Sequence, residues 1–297
     1  MGIVKMKIDI HSYAFCNAAE DRRCKRGPWV VKKACLQDPS LQSLQWANTF
    51  TIKHVAQKRA ALRDVAAICT DLARAVQQSI LHHHFFITVG GDHSCAIGTW
   101  SGAARTIQPK GDLGLIWFDA HMDAHTFETS LSDNIHGMSV AHLLGYGEQA
   151  LTQILSTHQK IKPGQLVLIG VRSFESGEAV LLKKLNVKIF YMHDVIQQGL
   201  RRVIEQAIHI VTQNTAYFGV SIDLDAIDPI DAPGVGTPAS NGIRTTDFLK
   251  NFHLIAQHPK LIGAEIAEFN PAKDKNQLTE KIIVEIIRVI QHAMVNN

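Results

Sequence analysis

No stretch of the 297-residue chain approaches the roughly 18 consecutive apolar residues of a membrane-spanning helix. The opening MGIVKMKIDI has neither the apolar centre nor the cleavage site of a secretory signal, and Met6 stands where a myristoylation motif needs Ser or Thr. A cytoplasmic protein without membrane association is expected. Cysteine is scarce. Cys16, Cys24, Cys35, Cys69 and Cys95 form no CxxC pair, and their odd number argues for reduced thiols serving as small core residues. An excess of one charge is missing as well: 30 basic and 27 acidic residues leave a formal net charge of +3, scattered along the chain. Without a basic stripe, nucleic acid is not an expected partner. Linkers, internal repeats and low-complexity segments are also absent. With 46% hydrophobic and 19% charged residues, the chain reads as one globular domain over 1–297 with a sizeable core.

What is present is periodic. Short apolar runs bounded by Gly, Asp or Pro recur as strand candidates: IVKMKIDI, FFITVGG, LGLIWFD, QLVLIGV, VKIFYM, AYFGVSID and KLIGAEIAEF. Between most of them lie helical patterns. Residues 51–80 and 278–295 space their apolar side chains three and four apart. Such alternation predicts an α/β fold with a mostly parallel central sheet covered by helices on both faces. The HHH at 82–84 is expected to be a solvated link between a helix and a strand, because adjacent side chains on a helix cannot share a face.

In parallel sheets, ligands bind beyond the carboxyl ends of the strands. Four polar clusters fall there. GGDHS (90–94) follows FFITV, DAHMDAH (119–125) follows LGLIWF, SIDLDAIDP (221–229) follows YFGV, and EFNP (268–271) ends LIGAEIA. Asp92 and Asp228 fit turn chemistry. His93, Asp119, His121, Asp123, Asp223 and Asp225 supply four carboxylates and two imidazoles, too much negative charge for one divalent ion and suited to two. Side chains two apart in an extended segment point the same way, so Asp119, His121 and Asp123 converge, as do Asp223 and Asp225. Oxygen-rich ligation with two imidazoles favours Mn²⁺ over Zn²⁺ and leaves Fe²⁺, Co²⁺ and Ni²⁺ open.

From RGPWVVKKA through GGDHSCAIGTWSG, DAHMDAH and SIDLDAIDP to EFNP, the chain resembles the ureohydrolase family of arginases, agmatinases, guanidinobutyrases and formiminoglutamases, and most nearly a bacterial-type arginase. The resemblance implies a three-layer α/β/α sandwich. It implies one ion on His93, Asp119, Asp123 and Asp223, and a second on His121, Asp119, Asp223 and Asp225, with Asp119 and Asp223 bridging. It also implies hydrolysis of a small guanidino substrate by a hydroxide that two cations generate at neutral pH. Asp123 would move the hydroxide's proton, His136 would protonate the leaving amine, and Glu268 would hold the guanidinium. Family members often form homo-oligomers.

Within the family, HTFETSLSDNIHGMS and GVRSFESGE favour arginase, which releases urea and L-ornithine from L-arginine. By resemblance, Ser130 and Ser132 would bond the substrate's α-carboxylate, and Glu175 and Glu178 would face its α-amino group. Three positions depart from the familiar animal pattern: His125 replaces Asn, Glu175 replaces Asp, and Asp133 replaces Gly. His still donates to a carboxylate and Glu still accepts from an ammonium, with a different reach. A reading from another class is a silent relative that binds metal or an amino acid as a sensor; the intact ligand set opposes it, and a urea assay separates the two.

Overall fold

Strand candidates that are apolar on both faces belong inside a parallel sheet. The computed structural model, which describes residues 6–53 and 56–296, places them there. The strands are β1 (Ile8–Tyr13), β2 (Gln45–Phe50), β3 (Phe85–Gly90), β4 (Leu113–Phe118), β5 (Leu166–Val171), β6 (Lys188–Tyr191), β7 (Tyr217–Asp223) and β8 (Leu261–Ala267). They form one eight-stranded sheet in the order β2-β1-β3-β8-β7-β4-β5-β6, and every pairing is parallel.

Alternation along each strand divides the core into two layers. Ile8 and Ile10, Phe85, Ile87 and Val89, and Ile116 and Phe118 share one cluster with the helices Gly27–Gln37, Leu200–Thr212, Thr245–Ala256 and Leu278–Asn296. Tyr13, Phe86, Leu115 and Trp117 face the other way, onto the helices Leu62–Leu81 and Cys95–Ile107. The result is the expected three-layer sandwich. Each fully buried large side chain, such as Trp100 or Leu72, contributes about 1.5–3 kcal/mol of transfer free energy. The helices of the second layer touch at backbone distance: a Cβ on Gly102 would lie 2.2 Å from the Ala73 carbonyl oxygen. Trp100 in turn lies on Gly219 of β7, where any Cβ would meet its ring at 2.0 Å.

Three sequence expectations need adjustment. Of the helix predicted over 51–80, His54 and Val55 lie outside the described residues, and the other residues before 58 are not helical. A 3-10 turn over Lys58–Ala61 precedes the helix Leu62–Leu81, and Lys58, at φ 55°, breaks any helical path from the preceding residues. The first strand begins at Ile8, residues 3–5 of its predicted run being outside the described residues. The half-exposed edge strand β2, QWANTF, carries too little apolar signal to be read from its sequence. In the histidine run, His82 and His83 are exposed as expected, but His84 is partly covered and its Nδ1 lies 3.0 Å from Asp9 Oδ2. All five cysteines are free and buried, and no helix among the described residues is long and apolar enough to cross a membrane.

Candidate active site

The pairing order brings β3, β8, β7 and β4 side by side at the middle of the sheet, and the polar clusters follow their carboxyl ends. His93 lies three residues past β3, Asp119 directly follows β4, Asp223 is the last residue of β7, and Glu268 directly follows β8. Asp225 sits in the single 3-10 turn Leu224–Ala226, whose backbone N–H donates to Asp223 Oδ1 at 2.9 Å. The helices begin or end beyond this edge, so backbone N–H groups and side chains converge on one crevice.

Around His93 Nδ1 stand Asp119 Oδ2 at 3.3 Å, Asp123 Oδ2 at 3.1 Å and Asp223 Oδ2 at 3.1 Å. His121 Nδ1 faces Asp119 Oδ1 at 3.4 Å and Asp225 Oδ2 at 3.1 Å. Asp119 thus turns one oxygen to each imidazole. Two sets have their donor atoms close enough to share an ion: His93 with Asp119 and Asp123, and Asp119 with His121 and Asp225. His93 Nδ1 and Asp123 Oδ2 are both buried and neither makes a directed hydrogen bond, although they lie 3.1 Å apart. Two lone-pair atoms aimed at shared space rather than at one another fit a cation between them. The donor set suits two divalent ions, and Asp223 adjoins the first set through His93.

Electrostatics points the same way. Burial alone would lower His93, yet Glu265 and the three aspartates outweigh it and raise the imidazole well above its ordinary value. Asp123 is pushed up to about 7, first by burial and then by the charge of Asp119. Burial followed by Asp225 and Asp119 raises Asp223 well above the carboxylate range. These carboxylates compete for positive charge, the demand two cations would meet.

The supporting groups are ordered. Trp117 donates Nε1–H to Asp119 Oδ2 at 2.8 Å and stacks on His93 at 4.2 Å between centroids. His93 Nε2 lies 2.9 Å from Ser221 Oγ, and that hydroxyl donates to the buried Glu265 at 3.0 Å, which leaves Nδ1 free to face the carboxylates. Asp123 and Glu268 hold φ of 50° and 67°, a left-handed conformation costly for side chains other than Gly and concentrated at functional positions.

Above the carboxylates opens a cavity of about 450 Å³. His121, Asp123, Asp223, Asp225, His136 and Glu268 line it, together with His125, Ser132, Glu175 and Glu178. Glu268 Oε1 accepts from the His93 backbone N–H at 2.8 Å and lies 3.0 Å from His136 Nδ1. Against the opposing pull of burial, Glu268 raises His136 to about 9. His125 Nε2 stands 3.5 Å from Glu175 and 3.7 Å from Glu178. Glu178 is also a staple, accepting the Glu175 N–H at 2.9 Å and the Ala124 N–H at 3.3 Å. Ser130 does not line the cavity; its hydroxyl accepts from the Asp133 N–H and lies 3.5 Å from Ser132. Asp133 does not line it either.

Asp92 and Asp228 behave as turn residues, and Asp92 also accepts the Ala18 N–H at 3.0 Å. Several lining residues are not singled out by the sequence: Glu20, Asp21 and Thr237 lie outside its motif-bearing segments, and Asn134 and Phe174 lie within them without a role. They come from loops whose polar composition has no period, so only the folded path identifies them. Cys24, buried behind the lining, donates its thiol to Glu268 Oε2 at 3.6 Å.

The profile described as the Arginase family matches residues 7–292. The arginase of Bacillus caldovelox is 42% identical over 226 residues, 76% of this chain and 75% of that one. Its solved native structure superposes with a TM-score of 0.88 at 35% identity, over 96% of this chain and 98% of its own. An Entamoeba histolytica arginase solved in complex with L-ornithine gives a TM-score of 0.88 at 27% identity, over 97% and 99%. With two candidate ion sets at the centre of the sheet edge and likeness along nearly the whole chain, the protein belongs to the arginase family.

Proposed function

We propose that this chain hydrolyses L-arginine to L-ornithine and urea, using two divalent ions with Mn²⁺ preferred and Co²⁺, Ni²⁺ or Fe²⁺ able to substitute. His93, Asp119, Asp123 and Asp223 would hold one ion, and His121, Asp119, Asp223 and Asp225 the other. When bound, the pair supplies an activated water and neutralises the carboxylates. The observation that carries the reading is Asp119, which, buried beneath the cavity-lining His121, Asp123, Asp223 and Asp225, presents Oδ2 to His93 and Oδ1 to His121.

The chain's own groups then do the positioning and proton handling. Glu268, tethered at Oε1 by the His93 N–H, keeps Oε2 as an acceptor for the substrate guanidinium, holding its central carbon over the floor. Asp123 lines the cavity beside the ion sites and would pass on the proton of the activated water. His136, raised to about 9, is protonated at neutral pH and serves as the acid toward the departing amine nitrogen. At the mouth, His125 and Ser132 meet the α-carboxylate, with Ser130 holding Ser132 in place, and Glu175 meets the α-ammonium. Glu178 anchors Glu175 and the 123–125 segment. The test is turnover by metal-reconstituted protein on a panel of guanidino compounds, with urea, ammonia and formamide all measured. Urea from L-arginine is expected. Formamide from formiminoglutamate, or equal rates on agmatine, would reassign the substrate, and no turnover at all would favour a silent relative.

A further inference from the structure

Arg172 follows β5 immediately and does not line the cavity. Among the described residues, its guanidinium donates only to main-chain oxygens. Nε reaches the Ser240 carbonyl at 3.0 Å, Nη1 those of Gly170 at 3.0 Å and Ala226 at 3.4 Å, and Nη2 those of Asp225 at 2.6 Å and Ala239 at 2.8 Å. The Arg172 backbone N–H donates to Ala120 at 2.9 Å, between Asp119 and His121. One residue therefore holds both segments that carry the second set of ion-binding side chains, as well as residues 239 and 240 beyond the cavity-lining Gly236 and Thr237. Gly170, at φ 100°, turns its carbonyl toward the guanidinium, and Gly242 leaves it room, since a Cβ there would lie 2.6 Å from Nη2. A planar fork with five N–H donors can satisfy five converging carbonyls; an ammonium with three cannot.

We propose that Arg172 is a positioning residue that clamps the Leu224–Ala226 turn to the 119–123 segment, so that Asp119, His121 and Asp225 are assembled before an ion binds. The clamp fixes the main chain of Asp225, whose side chain is then placed by the Ala120 N–H at 3.1 Å and His121 at 3.1 Å. It also sets a permanent positive charge behind Asp225, Asp119, Asp228 and Asp223. The consequence for ion binding rests on Asp225 being a ligand, as proposed above; the clamp itself does not.

Arg172→Lys keeps the charge and removes the fork. In calorimetric titration of full-length chain with Mn²⁺, the wild type is expected to bind two ions, and R172K to keep the first at unchanged affinity and bind the second roughly 10- to 100-fold more weakly, the usual cost of losing an outer partner of a metal ligand. In hydrogen exchange of the metal-free proteins, peptides over residues 224–242 should exchange faster in R172K while those over 278–296 stay unchanged. Identical isotherms and identical exchange would overturn the proposal, as would uniformly faster exchange or equal weakening of both ions. A wild type that binds no Mn²⁺ would refute the ligand assignment, and the exchange comparison would then decide the clamp by itself. Should R172K fail to fold, R172Q, which retains two donors without the charge, carries the same pair of measurements.

Discussion

The Nδ1 of His136 lies 3.0 Å from Oε1 of Glu268, joining the proposed acid to the proposed guanidinium holder. One partner sets the other's protonation, because Glu268 raises His136 against burial and the His136 charge helps hold Glu268 below its ordinary value despite the same opposing burial. His136→Asn should lower kcat by roughly 100-fold or more, the usual contribution of a positioned acid. Glu268→Gln should raise KM as well as lower kcat, since it removes the charge facing the guanidinium. Both variants should keep the wild-type metal content. Steady-state kinetics with metal analysis checks this, and an unchanged kcat in H136N would remove His136 from the proton path.

Metal removal should abolish activity, and Mn²⁺ or Co²⁺ should restore it. Asp119→Ala and Asp223→Ala should each lose both ions, whereas Asp225→Ala should weaken mainly the second. Binding that requires the folded site also raises apparent stability by mass action. Tm should therefore climb with added Mn²⁺ in the wild type and far less in Asp223→Ala; mass spectrometry of metal per chain and thermal melts provide the two readings.

Arginine and agmatine share the guanidinium, so the floor of the cavity treats them alike and the mouth must discriminate. His125 and Ser132 lose a bonding partner when the α-carboxylate is missing, and polar groups left unpaired reject an analogue strongly. kcat/KM for L-arginine should exceed that for agmatine by at least about 100-fold, or roughly 2.7 kcal/mol. His125→Ala and Ser132→Ala should narrow the gap by slowing arginine turnover at low concentration, with metal content intact.

His142 is buried between the Met138 carbonyl, 2.7 Å from Nδ1, and the Glu148 N–H, 3.2 Å from Nε2, and burial lowers it to about 4. A folded value below the unfolded one near 6.5 means that the unfolded chain binds the extra proton between them. This contribution is complete above pH 6.5 and is lost as pH falls toward 4, about 3 kcal/mol at most. His142→Gln keeps one donor and one acceptor without titrating. Its unfolding free energy should fall less steeply than the wild type's between pH 6.5 and 4 in denaturant titrations; parallel slopes would show that His142 does not contribute.

Much of the site was legible in the sequence because its signals are local. The apolar runs before GGDHS, DAHMDAH, SIDLDAIDP and EFNP mark strand ends, where a parallel sheet binds its ligands; the expected extended alternation does not hold, because a bend at 120–121, the left-handed Asp123 and the 3-10 turn carrying Asp225 aim those side chains instead. The residue types stated the demand for positive charge before any fold was known. Other features depend on partners distant in sequence. The order that seats β3 beside β8 brings the His93 N–H to Glu268 across 175 residues, and the loop beyond β4 brings His136 to the same carboxylate across 132. The edge strand β2 owes its place to pairing with β1 rather than to its own composition. His84, one of three adjacent histidines, is distinguished only by Asp9, and Ser130 and Ser132, two residues apart in one loop, are separated only by which of them reaches the cavity. Arg172 lies within GVRSFESGE, yet nothing in that segment announces its role, because its partners are carbonyl oxygens that every residue possesses. By itself, the sequence determined which chemistry gathers at the sheet edge; the tertiary structure decided which groups touch there, since hydrogen-bond distance is set by chain packing and not by spacing along the chain.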